Sequence, residues 1–100
     1  MSYVLTDDAR DDLIDIYIYT LERWDEQQAD RYVASLYAIF GKLRASSGRA
    51  RPEVYEGIRS VNNGTHVVFF MLYGDEIAVV RVLHGARDIE RLFREFEPDW

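Results

Sequence analysis

The chain has 100 residues and no cysteine. No disulfide and no thiolate metal site can form from it. Lysine is nearly missing: Lys42 is the only one, and the remaining bases are arginine. Proline occurs only as Pro52 and Pro98, so most of the punctuation falls to glycine. No apolar run approaches the ~20 residues of a membrane span. The opening stretch, Met1 to Asp8, lacks the basic and apolar regions of a secretion signal. These absences set the expectation of a soluble, cytoplasmic protein without a membrane role. Positive charge is also short, with 12 Lys and Arg against 18 Asp and Glu, a formal net charge of -6. The imbalance is local. Residues 1–40 hold nine acids and three arginines, whereas residues 41–100 hold nine acids and nine bases. An acidic balance argues against strong direct nucleic-acid binding, which is mainly electrostatic.

What is present is apolar and aromatic: 48% of the residues are hydrophobic and 14% aromatic. That suits one globular domain, residues 1–100, with a single modest core. The stretch Thr65 to Asp88 organises it. Two runs rich in Val, Ile and aromatics flank Gly74-Asp75, a hairpin signal because Gly74 tolerates the positive φ of a tight turn. Neither run alternates cleanly, so both strands expect cover on both faces.

Before them, Tyr3-Val4-Leu5 is short and β-prone, and Thr6 is a good helix N-cap with acids behind it. Ala9, Leu13, Ile16, Tyr17, Thr20 and Trp24 then recur at helical spacing, with Ile14, Ile18 and Leu21 as a second stripe. Asp25 and Gln28 have capping-box spacing for a second helix bearing Ala29, Val33, Leu36, Phe40 and Leu43. Gly48 is the expected left-handed cap of that helix. Residues 49–57 read as a loop and 58–61 as a short strand, with Asn62-Asn63-Gly64 as a turn. Ile89, Leu92, Phe93 and Phe96 predict a short C-terminal helix from an Asp88 cap to Pro98.

The expected fold is α+β in two layers. Its order is β-α-α-β-β-β with an antiparallel sheet, a helical hairpin on one face and a short C-terminal helix. The hairpin covers one face only, so the other is expected to meet another protein.

These segments resemble the ParE branch of the ParE/RelE toxin family. The resemblance is carried by Ala9 to Thr20, by Trp24 with Gln28 to Tyr32, by Gly57-Ile58-Arg59, by Gly64 to Phe70 and by Arg81 to Asp88. Asp25 departs from it, since many relatives have glycine after the tryptophan. The resemblance implies the toxin of a type II toxin-antitoxin module. It implies a ParD-like antitoxin that forms a hetero-oligomer with it, DNA gyrase as target, and no cofactor. RelE-like relatives instead cleave mRNA on the ribosome. Their chemistry uses lysines and arginines on the sheet and a reactive C-terminal side chain. Here Lys42 falls on the second helix, Tyr73 is the last tyrosine, and Phe93 and Phe96 stand near the C-terminus. The reading is therefore a non-enzymatic toxin with no catalytic and no metal residues. The rivals are a nuclease using Arg81, His84 and Arg87, and a non-toxic partner-binding member.

His84 as a lone base has no visible partner in the sequence, and a structural strand-end histidine is the plainer reading. His66 reads as structural too. Arg81, breaking an apolar strand, is balanced between a partner contact and an ion pair, for instance with the terminal helix. Asp7, Asp8, Asp11, Asp12 and Asp15 read as a solvated helix face. Trp24, Tyr17 and Tyr32 read as packing at the helical turn. Expected target contacts are Arg81, His84 and Arg87. Expected antitoxin contacts are Ile18, Leu21, Val68, Phe70, Leu72 and Arg81, with Val68, Phe70, Leu72 and Arg81 placed on the open face of the sheet.

Overall fold

The computed structural model describes residues 2–85 and Ile89. Seven elements follow in order: β1 (Tyr3–Leu5), α1 (Asp7–Arg23), α2 (Glu26–Lys42), β2 (Arg49–Ala50), β3 (Arg59–Asn63), β4 (His66–Tyr73) and β5 (Glu76–His84). The expected C-terminal helix, its Asp88 cap, Leu92, Phe93 and Phe96 fall outside the described residues, as does Arg87.

The helix starts form as their side chains dictate. Thr6 Oγ1 accepts the Ala9 N–H at 3.1 Å and donates to the Val80 carbonyl at 2.8 Å. Asp25 Oδ1 accepts the Gln28 N–H at 2.8 Å. Each bond satisfies one of the orphan donors of a first helical turn. α2 ends earlier than its expected Gly48 cap, at Lys42, with Leu43 extended. Gly48 does take φ +62°, but its duty is elsewhere: a Cβ there would lie 2.0 Å from the Ser60 carbonyl oxygen. It lets the chain pass close against β3, and Arg49–Ala50 then pairs with β3 as an unexpected edge strand.

The sheet order is β1-β5-β4-β3-β2. It is mixed rather than purely antiparallel, because β1 joins the edge of β5 in parallel. Both hairpin turns place glycine first of two loop residues, Gly64 at φ +57° and Gly74 at φ +59°. Positive φ at that position alone is the pattern of a type II′ turn, whose twist matches the flanking strands. The first turn is Gly64-Thr65, so Asn62 and Asn63 belong to β3 rather than to the turn.

The sheet separates two cores. On the helical side Ala9, Leu13, Ile16, Leu36 and Phe40 pack on Val68, Phe70, Ile77, Val79 and Val82. On the other side Val54, Ile58, Phe69, Ala78, Val80 and Leu83 form a second cluster, joined by Tyr55, Met71 and Ile89. The face expected to be bare is thus covered by the segment 51–58 and by Ile89. Each fully buried side chain of this size stabilises by roughly 1.5–3 kcal/mol, so this cover accounts for the continuous apolar character of the strands.

A β-bulge decides which residues face where. Phe69 pairs with Arg81 but Phe70 pairs with Val79, so Val80 is the extra residue. One extra residue reverses the alternation beyond it. Ile77 and Val79 face the helices, and so does Val82 rather than Leu83. The assignment of Val68, Phe70 and Arg81 to an open face is therefore corrected. Val68 and Phe70 are fully buried beneath the helices and Arg81 reaches α1, so Val68 and Phe70 offer a partner no surface. Leu72, near the tip of the β4–β5 hairpin, is exposed.

Candidate functional site

The helical hairpin presents an outer groove. Buried Leu13 and Ile16 turn α1 onto the sheet, and the spacing of the second stripe then turns Ile14, Ile18 and Leu21 outward, 56%, 48% and 42% exposed. Ile14 and Ile18 line one wall of the groove, with Tyr17; Val33, Ala34 and Tyr37 line the other. The cavity measures about 660 Å³. Tyr17 donates to Asp30 across it at 2.9 Å, and that bond raises the Tyr17 pKa. An apolar groove between two helices, fringed by polar groups, suits an amphipathic segment.

The strand-end residues lie at a second place. Arg81 is not free. Its Nε donates to Asp12 Oδ2 at 2.8 Å and its NH2 to Oδ1 at 2.9 Å, while Oδ2 also accepts the Val82 N–H at 2.9 Å. This partner lies on α1. This bidentate pair raises the Arg81 pKa and satisfies the edge of β5 that β1 is too short to cover. Asp12 is buried rather than part of a solvated face. Its signal was in the spacing: Ala9, Asp12, Leu13 and Ile16 are i, i+3, i+4 and i+7 of one face.

His66 and His84 stand opposite one another on β4 and β5, ring centroids 5.7 Å apart. Tyr32 of α2 donates to the Asn63 carbonyl at 2.9 Å and lies 2.6 Å from His66 Nδ1. With its one proton on the carbonyl, the hydroxyl accepts from His66, which assigns the imidazole proton to Nδ1. Burial first, and the charge of His84 second, depress the His66 pKa. Tyr32 thus packs against the helical-side core, as expected, and also fixes a strand end; burial raises its own pKa. Trp24, expected in the packing, is 70% exposed.

Of the expected contacts, Ile18 and Leu21 lie along the outer face of α1, and Leu72 lies apart at the hairpin tip. His84 is exposed, Arg81 is bound to Asp12, and Arg87 lies outside the described residues. Among the described residues no group of three or more His, Asp or Glu could hold a metal ion, and no helix is long and apolar enough to cross a membrane.

Comparison with known proteins agrees with this architecture. The family model for the ParE toxin of type II toxin-antitoxin systems, parDE, matches residues 3–89. Toxin ParE1 of Mycobacterium tuberculosis is 35% identical over 92 residues, covering 89% of this chain and 94% of that protein. Toxin ParE1 of Caulobacter vibrioides is 34% identical over 84 residues, covering 82% and 86%. Toxin ParE of Escherichia coli is 32% identical over 91 residues, covering 88% of each. A chain from the chromosomal ParDE TA system of P. aeruginosa shares the fold, with a TM-score of 0.71 over 84% of this chain and 95% of that one at 24% identity. The chain belongs to the ParE toxin family of type II toxin-antitoxin systems.

Proposed function

We propose that this protein is a non-enzymatic toxin of the cytoplasm that binds and poisons DNA gyrase, and that a ParD-like antitoxin silences it by occupying the α1–α2 groove. The observation that carries the antitoxin half is the groove itself. Ile14, Ile18 and Tyr37 are large, apolar and more than 40% exposed on one pair of helices. Contiguous exposure of that kind on a small protein marks an interaction site. Leu21, one turn beyond Ile18, extends the contact along α1, and Leu72 at the hairpin tip is a separate point a wrapping segment could reach.

Family membership supports the gyrase half. So does the state of the strand-end groups. A nuclease needs a cation free for the scissile phosphate and a base poised near neutrality. The Arg81 guanidinium, one of the groups that such a nuclease would use, is committed to Asp12.

The groove is tested with the product of the adjacent antitoxin gene, by calorimetry against Ile18→Glu and Val68→Ala. Ile18→Glu places a charge in the apolar contact and should weaken binding by about 2–4 kcal/mol, as expected at an interface centre. Val68→Ala should lower thermal stability and leave affinity nearly unchanged. Wild-type affinity for Ile18→Glu would place the antitoxin elsewhere.

A further inference from the structure

The α1–α2 groove carries opposite charges along an apolar floor. The described residues that line it include two charged ones, Arg10 and Asp30, both exposed. Asp7 and Asp11 stand near Arg10 in sequence but do not line the groove. The helices hold the two charges apart. Asp30 meets Tyr17, and Tyr17 lies two helical turns beyond Arg10, about 10 Å of rise. Ile14, Ala34 and Tyr37 line the stretch between. A second recess, of about 460 Å³, at Tyr19 and Trp24 is different: Asp15, Arg23, His66 and His84 all line it, so its charges are mixed and single out no occupant.

Each groove charge keeps capacity for a partner. Arg10 forms no ion pair with a described residue. Asp30 accepts a hydrogen bond from Tyr17 at 2.9 Å, whereas an ionised carboxylate has room for about four. The bond from Tyr17 orients the carboxylate without neutralising it. The Tyr17 pKa records the local field: it is raised first by that bond, then by desolvation and by the charges of Asp30 and Glu26. The end of the groove near the helical turn is therefore anionic, and the Arg10 end is cationic.

We propose that Arg10 and Asp30 fix the direction and register of the helix that fills the groove. The antitoxin presents an acidic side chain to Arg10 and a basic one to Asp30, two turns apart on its apolar face. Positions i, i+3, i+4 and i+7 of a helix share a face, so apolar residues fall between the two charges, over Ile14 and Tyr37. The same helix docked backwards would set like charges against each other, and that repulsion selects one direction. The inference rests on the antitoxin occupying the groove.

The test is calorimetry of the full chain with the product of the adjacent antitoxin gene, using Arg10→Glu, Asp30→Lys, Tyr17→Phe and Ile18→Glu. Arg10→Glu and Asp30→Lys should each weaken binding by about fivefold or more, because each removes an exposed pair and adds a repulsion. Their difference from wild type should shrink at high salt, which screens exposed charges, while the loss in Ile18→Glu persists. Tyr17→Phe keeps the Asp30 charge and should lose less than Asp30→Lys. All four side chains lie at the surface or half-buried, and thermal melts check that each variant folds. Charge reversals in the antitoxin then test the register. One basic residue changed to glutamate should restore binding to Asp30→Lys, and one acidic residue two turns away, changed to lysine, should restore binding to Arg10→Glu. Wild-type affinity in either toxin reversal, or restoring residues that are not two turns apart, overturns the proposal. If Ile18→Glu still weakens binding in that case, the groove remains the antitoxin site; if it too binds like wild type, both readings fall.

Discussion

At the scale of single residues, Asp12 has the largest structural duty of any charged group described. It joins α1 to the exposed edge of β5 through Arg81 and the Val82 N–H. Removing it leaves a guanidinium and a backbone donor unpaired in a largely buried place. Asp12→Ala should therefore cost about 3–5 kcal/mol, measured by chemical denaturation. Asp12→Asn, which can still accept from Val82, should cost less. Equal, small losses in both would show that solvent replaces the pair. His66 gives a pH signature. Its native pKa lies below the ordinary 6.5 because burial and His84 disfavour the imidazolium. The unfolded chain then takes up this proton at a higher pH than the native protein. The contribution is fully present above the unfolded value and is lost as pH falls through it towards the depressed native value. His66→Gln should flatten that decline in denaturation series run from about pH 8 down to about pH 5. An unchanged slope would assign the decline to other groups.

At the scale of elements, the hairpin packs through α2 by Leu36 and Phe40, both fully buried. Leu36→Ala should cost about 2–5 kcal/mol; a loss below about 1 kcal/mol, typical of surface sites, would contradict this packing. Gly48→Ala should also destabilise strongly, because the added methyl meets the Ser60 backbone and φ is +62°. Much at this scale was legible in the sequence. The Thr6 and Asp25 caps, the helical stripes and the Gly74 turn are local signals, and each forms as its side chain requires. The β2 strand was not legible, since Arg49-Ala50 carries no apolar pattern and pairs only through close approach at Gly48. The faces of β5 were misread for a similar reason. Val80 fits the strand's composition, and only pairing with β4 reveals it as the bulged residue. Arg81 stayed balanced between a partner contact and an ion pair because Asp12 is distant in sequence. Trp24 looked like packing because aromatic residues at helical spacing usually are.

At the scale of the whole molecule, the fold buries both faces of one sheet and moves the open surface to the helices. The α1–α2 groove is apolar, and the recess at Tyr19 and Trp24 is lined by aromatic rings and by side chains of both charge signs. The most direct measurement of the central claim uses purified protein in two parallel assays. One is DNA gyrase with supercoiled and relaxed plasmid; the other is a translating extract with a defined mRNA. The gyrase reading predicts inhibited supercoiling or trapped cleaved DNA, relief by the antitoxin, and intact mRNA. Codon-linked mRNA cuts that disappear in a His84→Ala protein, with gyrase unaffected, would contradict it and establish the nuclease instead.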